Sequence, residues 1–166
     1  MASTPCEAAR LAIEAHRFID WHGLPPACTA ELLFGIPFDN DWGRQLLGSA
    51  SEPARLRLLE IGGYYQPTAY VRDGVVVMFD GMKPALDGGW AALTADLGSP
   101  EASFDWVFGT TPMSGGEHVY ARRGITIYLN PGNNVVVYVT VYAATTVDDY
   151  VKQLRPPREK QSNPKK

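Results

Sequence analysis

The pattern of apolar and polar positions predicts a helix near each end of the chain. Residues 4–22 carry apolar side chains at helical spacing, and Thr4 and Glu7 match a capping box that would begin the helix. Gly23, followed by two prolines, would end it. Near the C-terminus, Thr146 can cap a second helix with one apolar stripe, formed by Val147, Tyr150, Val151 and Leu154.

Between these helices, apolar runs and turn residues predict β-strands. The expected strands are residues 55–61, a stretch ending near 71, and residues 75–79, 104–109, 118–121, 124–130 and 135–143. Asp-Gly at 73–74 and PGNN at 131–134 are turn signals typical of hairpins. Short helices are expected at 29–34 and 88–98, a loop with a short strand or helical turn at 38–55, and a loop at 110–117. We therefore predict an α+β fold with an antiparallel sheet and helices at the N- and C-terminal ends.

Two stretches suggest an imperfect internal duplication. YVRDGVVVMFDG at 70–81 and YARRGITIYLNP at 120–131 share Tyr, Arg and Gly in the same order. Each follows a segment that reads Thr-Ala-acid-Leu, glycine, proline, Phe-Asp and tryptophan. Hairpins reuse few residue types, so chance is the alternative, but several features repeat in order and favour duplication. The expected units are 28–82 and 90–143, within one compact domain of residues 1–155.

The same pattern supports a resemblance to a known group of folds. LGSP at 97–100, the Trp-bearing strand after it and the hairpin YARRGITIYLN at 120–130 resemble the tandem-repeat β-lactamase inhibitory proteins. They also resemble the small outer-membrane assembly lipoproteins of the same broad fold. The resemblance covers residues 28–142 and implies a binding fold that is not an enzyme. The sequence departs from the pattern because it lacks a lipoprotein leader and the paired cysteines of the secreted inhibitors.

Charge is distributed unevenly along the 166 residues. The net charge is −3, yet the last sixteen residues hold six Lys or Arg and one Glu. The other 150 residues therefore have nine basic and seventeen acidic side chains, a net charge of −8. We expect a basic, disordered tail at 156–166 and an acidic body, which disfavours nucleic-acid binding and suits a basic protein partner. With no long apolar run and no secretory signal pattern, we expect a cytoplasmic protein that does not bind membranes.

Candidate catalytic groups are few. Cys6 and Cys28 are expected to be free thiols, because a disulfide is disfavoured in the cytosol. A zinc site formed by these cysteines with His16 and His22 lacks a recognisable spacing, so no metal and no cofactor are predicted. Cys28 precedes a predicted helix, where a thiolate would be stabilised, but a plain turn residue is the favoured interpretation. Glu117 and His118 are adjacent on a strand and would point to opposite faces.

Aromatic and acidic side chains are the better candidates for a binding surface. On the last strand, Val135, Val137, Val139 and Val141 would face the core, and Val136, Tyr138, Thr140 and Tyr142 the other side, together with Thr126 and Tyr128. This Tyr/Thr face is either covered by the N-terminal helix or exposed for protein recognition. Carboxylates near turns would add charge. The predicted binding residues are Asp39, Asp41, Trp42, Tyr64, Tyr65, Asp105, Tyr128, Tyr138 and Tyr142.

The sequence thus favours a binding protein that is not an enzyme. The leading hypothesis is a bacterial immunity or inhibitor protein that occludes a toxin or an enzyme with an acidic, aromatic-bearing surface. The first alternative is a small hydrolase that uses turn carboxylates or Cys28. The second is a scaffold module for assembly or ligand binding.

Overall fold

The fold is a single antiparallel sheet with helices before, within and after it. In a computed structural model, residues 4–29, 32–33, 52–55, 65–72, 75–82 and 89–155 are described. Their seven strands have the order β1-β2-β3-β7-β6-β5-β4. The strands are β1 Glu52–Arg55, β2 Tyr65–Arg72, β3 Val75–Met82, β4 Ala102–Phe108, β5 Thr111–Tyr120, β6 Ile125–Asn130 and β7 Val135–Tyr142. The predicted α+β class with an antiparallel sheet and terminal helices is confirmed.

Helices at both ends of the described chain, and one between β3 and β4, accompany the sheet. Helix α1 is Pro5–Ala15 and α2 is Gly89–Leu97. The C-terminal helix, α3, begins as the α-helical turn Val147–Asp149 and continues as the π-helix Tyr150–Leu154. A short 3₁₀ helix, Ala121–Arg123, joins β5 to β6. None of the helices in the described ranges is long and apolar enough to cross a membrane.

Helix α1 begins as predicted and ends earlier. The Thr4 hydroxyl accepts the Glu7 N–H at 3.2 Å, and the Glu7 carboxylate accepts the Thr4 N–H at 3.0 Å, which confirms the capping box. The expected extent to residue 22 is wrong. His16 adopts a left-handed conformation, with φ of 55°, and its N–H closes the helix on the carbonyls of Ala12 and Ile13. Phe18, which had suggested a longer helix, is buried in the following segment.

That following segment is fixed by the hairpin β5–β6. The Trp21 indole donates to the Gly124 carbonyl at 3.0 Å, and the Leu24 N–H donates to the Tyr142 carbonyl at 2.9 Å. Arg123 donates to the carbonyls of Ile19 and Trp21 and pairs with Asp96 on α2 at 2.7 Å. The YARRG stretch therefore holds the N-terminal segment against the end of the sheet, a role that its sequence did not indicate.

The strand predictions are largely confirmed, with one correction. β2 and β3 pair with Arg72 opposite Val75, so the connection between these strands is two residues long, as predicted. The prediction of a loop at 110–117 is wrong, because Thr111–Tyr120 is a strand that pairs with both β4 and β6. Gly109, with φ of 63°, allows the tight turn that starts it. The segment 38–55, expected as a loop with a short strand or helical turn, ends in strand β1, Glu52–Arg55. Its remaining residues 38–51, and residues 56–61 of the strand expected at 55–61, lie outside the described residues.

Two apolar layers pack on opposite faces of the sheet. On one face, α1, residues 18–28 and α2 cover Phe79, Ile125, Ile127 and neighbouring residues. Cys6 and Cys28 form a disulfide in this layer, with Cα atoms 5.8 Å apart, so the predicted free thiols are wrong. The first turn of α1 and the loop after Pro26 meet on the same face, which brings the two cysteines together. The Cys28 carbonyl also accepts the Val76 N–H at 2.8 Å.

A bulge on β7 alters the predicted alternation. Tyr128 pairs with Tyr138, but Leu129 pairs with Val136, so Val137 is an extra residue on β7. Val136 therefore packs against the layer formed with α1, and Val137 joins the tyrosines on the other face. The expectation that Val135, Val137, Val139 and Val141 all share one face is wrong at Val137, and the expected place of Val136 beside Tyr138 is wrong as well.

The structure does not show the internal duplication. Tyr70 and Tyr120 hold matching places in the two similar stretches, but Tyr70 packs on the α3 side of the sheet and Tyr120 on the α1 side. The connections also differ, because Arg72 pairs with Val75 in one hairpin and Tyr120 with Ile125 in the other. The predicted tail at 156–166 lies outside the described residues.

Candidate functional site

The predicted Tyr/Thr face exists, but α3 covers it. Thr126, Tyr128 and Tyr142 are fully buried, and Tyr138 and Thr140 are nearly so. Tyr142 stacks on Tyr150 of α3 with ring centroids 5.0 Å apart, and the hydroxyl groups of Tyr142 and Thr126 are 2.8 Å apart. Neither alternative drawn from the sequence, cover by the N-terminal helix or exposure, describes this face.

A buried ion pair anchors the end of α3 to this face. Glu117 in the middle of β5 is fully buried, and Arg155, directly after α3, is 2% exposed. The Arg155 Nε donates to both carboxylate oxygens, at 2.9 and 3.0 Å, and its Nη2 donates to Oε1 at 2.8 Å. The Tyr150 hydroxyl donates to Glu117 Oε2 at 2.8 Å. Arg155 also reaches the Asp105 carbonyl and lies 4.5 Å above the Phe104 ring.

The electrostatics of this cluster favour a fixed charge state. Burial raises the pKa of Tyr150 well above its usual value, and the nearby Glu117 carboxylate raises it further. Burial also raises the pKa of Tyr142. Burial alone would lower the pKa of Arg155, but the hydrogen bonds and the charge of Glu117 outweigh it, so the pKa is raised. These groups are therefore suited to holding α3 in place rather than to exchanging protons at neutral pH.

An aromatic cluster continues the same face toward the turn between β4 and β5. Trp106 donates its indole N–H to the Leu129 carbonyl at 2.9 Å, and its ring lies 5.2 Å from Tyr128 and 5.6 Å from Tyr138. Tyr128 and Tyr138 stack with centroids 4.4 Å apart. Met113 and Val137 complete this buried group. Gly116 lies so close to the Trp106 indole that a Cβ atom there would overlap it.

This cluster supports an apolar surface at the end of the sheet. Phe108 is 38% exposed, and its ring lies 6.0 Å from the buried Trp106 ring. Val135 is 55% exposed at the start of β7. Because β5 and β7 run in the same direction, the β4–β5 turn and the β6–β7 turn lie at the same end. We call Phe108 and Val135 the sheet-end surface.

The predicted binding residues are divided between separate places. Asp39, Asp41, Trp42 and Tyr64 lie outside the described residues, and Tyr65 begins β2. Tyr128 and Tyr138 lie beneath the sheet-end surface, and Tyr142 lies under α3. Their binding role stays a prediction, but in this conformation they support a surface from below.

Asp105 belongs to strand β4 and not to a turn. Its Oδ1 accepts the Gly115 N–H at 2.7 Å and the Ser114 hydroxyl at 3.4 Å, where three β5 residues bulge opposite one β4 residue. The carboxylate thus stabilises the bulge that carries Gly116 under Trp106. The binding role predicted for Asp105 stays a prediction.

Groups considered for catalysis are engaged elsewhere. Glu117 and His118 face opposite sides of β5, as expected, since His118 lies beside Trp90 of α2 with centroids 6.0 Å apart. Cys28 is buried and oxidised, so a Cys28 thiolate is wrong for this state. Across the described ranges, no group of three His, Cys, Asp or Glu residues is placed to hold a metal ion. In comparisons with known proteins, no family model, curated protein or solved structure matches this chain.

Sequence reasoning missed the Glu117–Arg155 pair. Arg155 was counted with the basic tail, and its partner lies 38 residues earlier in the chain. No spacing rule connects such positions. The only signal available was that Glu117 interrupts a strand which would otherwise place apolar and small residues on this face.

Proposed function

We propose that this chain is a bacterial immunity or inhibitor protein that neutralises a toxin or an enzyme by occluding it. The observation that carries the proposal is the sheet-end surface. Phe108 and Val135 expose large apolar area on strands that a buried Trp–Tyr cluster holds rigid. Exposed aromatic anchors on a rigid support are typical of protein-binding hot spots.

Rigidity and charge both favour recognition of a folded partner. Because Phe108 is supported by Trp106, little side-chain freedom would be lost on binding. The net charge of −8 over residues 1–150 would speed association with a basic partner. The mechanism would be steric, with Phe108 as a buried anchor and the net negative charge of residues 1–150 steering the approach.

The polar side chains near this surface support a role in binding more than one in catalysis. Asp105 accepts bonds within the bulge, and both oxygens of Glu117 accept bonds from Arg155 or Tyr150. The alternative of a hydrolase that uses Cys28 is disfavoured, because the Cys28 thiol is bonded to Cys6 in a disulfide. A hydrolase would therefore depend on turn carboxylates such as Asp39 and Asp41.

We also propose a compartment that differs from the expected cytoplasm. Disulfides persist in oxidising compartments and are rare in the cytosol. The Cys6–Cys28 bond therefore favours a place of action outside the cytosol. Trapping thiols by alkylation at the moment of cell lysis tests this, since labelling of both cysteines in the native host would return the protein to the cytoplasm.

The test of function uses the product of the adjacent gene as the probe. Co-expression should yield a complex on size-exclusion chromatography and protect cells from growth arrest by that product. Phe108→Asp should weaken the complex at least tenfold. Leu32→Asp is the matched control, because Leu32 is also an exposed apolar residue, at 59% exposure, in another part of the fold.

Two results would count against the proposal. Without a complex and without growth protection, the immunity function fails. A complex that Phe108→Asp and Leu32→Asp weaken equally would show that the sheet-end surface is not the binding site.

A further inference from the structure

Helix α1 makes a small apolar contact with the rest of the fold. Of its 11 residues, only Ala9 and Ile13 are buried. Its ion pair, Arg10 with Glu14, lies within the helix and does not attach it to a strand. A helix of this length is marginal on its own in water, and the burial of one large apolar side chain adds little to its stability. The helix therefore depends on a further attachment to stay on the sheet.

That attachment is the disulfide between Cys6 and Cys28. Cys6 lies in the first turn of α1, and Cys28 lies 22 positions later, fully buried in the apolar layer that the helix covers. The Cys28 carbonyl accepts the Val76 N–H of β3 at 2.8 Å, so the disulfide joins the start of the helix to the sheet. Cys6 is half-buried, so the disulfide is approached from the Cys6 side.

The segment after α1 has attachments that do not depend on the disulfide. The Trp21 indole and the Leu24 N–H donate to carbonyls of the β5–β6 connection and of β7. Before this segment, His16 closes the helix in a left-handed conformation. Residues 4–16 can therefore separate from the sheet at this turn while residues 18–28 stay in place.

We propose that the Cys6–Cys28 disulfide is a redox switch that holds α1 on the sheet when oxidised and releases it when reduced. A dithiol reductant supplies the two electrons. One of its thiolates attacks the Cys6 sulfur, the S–S bond breaks, and Cys28 leaves as a thiolate that takes up a proton. The second thiol of the reductant then displaces Cys6, which also leaves as a thiol. The protein gains two thiols, and the reductant is oxidised to a disulfide.

Release of α1 changes the surface of the molecule. Ala9 and Ile13 belong to the same apolar layer as Phe79 and Ile127, so their departure presents apolar surface that the oxidised molecule buries. The Cys28 thiol becomes reachable at the same place. A disulfide that closes a loop of this size shifts such an equilibrium by about a hundredfold, so reduction should strongly favour the released state.

Hydrogen exchange of the intact chain, oxidised or reduced with dithiothreitol, tests the switch at individual amides. The amides of Ala12 and Ile13 should exchange about a hundredfold faster after reduction. Those of Leu24, Ile127 and Val139 should change by less than about threefold, because the bonds that protect them do not involve α1. Removal of the reductant and re-formation of the disulfide should restore slow exchange in the helix.

A variant with both cysteines replaced separates the loss of the disulfide from other effects of the reductant. Cys6→Ser/Cys28→Ser should exchange at Ala12 and Ile13 like the reduced wild type, with or without dithiothreitol. Slow exchange of α1 in the reduced protein or in the variant overturns the proposal, because the helix would then be held by its apolar contact. Fast exchange throughout β6 and β7 of the reduced protein also overturns it, because the disulfide would then support the whole fold.

Discussion

Arg155→Met and Glu117→Gln both break the buried ion pair, and we expect them to destabilise the fold by unequal amounts. Removing one member of such a pair costs about 3–5 kcal/mol, because the other charge stays buried. Arg155→Met leaves the Glu117 carboxylate in the middle of β5, paired on both sides by β4 and β6 and unable to reach water. The Tyr150 hydroxyl still donates to it. We expect a loss of about 5 kcal/mol.

Glu117→Gln leaves the Arg155 guanidinium as the unpaired charge, at a position where the side chain can move. Arg155 follows the last turn of α3, so its guanidinium can turn toward solvent at the cost of its contact with Phe104. The amide oxygen of the introduced glutamine would still accept the Tyr150 hydrogen bond. We therefore expect a loss of about 3 kcal/mol. The double variant buries no unpaired charge, so it should cost no more than Arg155→Met alone.

Urea unfolding followed by tryptophan fluorescence, with the disulfide intact, measures these differences. The free energies of unfolding of the wild type, both single variants and the double variant form a double-mutant cycle. Single losses that simply add in the double variant, or losses below about 1 kcal/mol, would contradict the buried pair. A larger loss for Glu117→Gln than for Arg155→Met would contradict the assumption that Arg155 can reach solvent.

Two further predictions concern a glycine and the buried tyrosines. In urea unfolding, Gly124→Ala should lower the free energy of unfolding by several kcal/mol more than Gly109→Ala. Both glycines have φ near 60°, but of the two only Gly124 lies where an added Cβ would overlap backbone atoms, those of Tyr142 and Gly23. Equal losses in the two variants would contradict the close contact. Tyr142 and Tyr150 have raised pKa values in the folded state. Above the usual tyrosine pKa of about 10 they ionise in the unfolded chain first, so the free energy of unfolding should be unaffected below that pH and should fall above it. The part of the phenolate absorbance at about 295 nm that Tyr142→Phe and Tyr150→Phe remove should appear only with unfolding. Its appearance at lower pH, with the circular dichroism unchanged, would show that these two tyrosines are not buried.

Local signals predicted the elements whose ends depend on neighbouring residues. Three features could be predicted because each involves groups within three residues of one another. They are the capping box of α1, the two-residue connection after Arg72 and the start of α3 at Thr146. The first part of strand Thr111–Tyr120, residues 111–117, was missed because Ser, Gly and Pro suggested a loop. Its pairing depends on Asp105 accepting the Gly115 N–H across the hairpin.

The candidate site was much less predictable. Alternation along β7 correctly grouped Tyr138 with Tyr142, but it could not show that α3 would cover them. The Val137 bulge also lies outside any rule based on strict alternation. Glu117 and Arg155 meet only after the sheet and α3 have packed, so their pairing is a property of the tertiary fold. The disulfide was misjudged because it was inferred from an expected compartment and not from geometry.

The contacts of residues 19–24 have a consequence for the order of folding. Trp21 and Gly124 are 103 positions apart, and Leu24 depends on the carbonyl of Tyr142. Because synthesis proceeds from the N-terminus, the segment after α1 leaves the ribosome well before the partners that hold it. We therefore expect α1 to dock last, after β5, β6 and β7 have paired. Pulse-labelled hydrogen exchange during refolding should protect Ile127 and Val139 before Leu24, and the reverse order would refute this sequence of events.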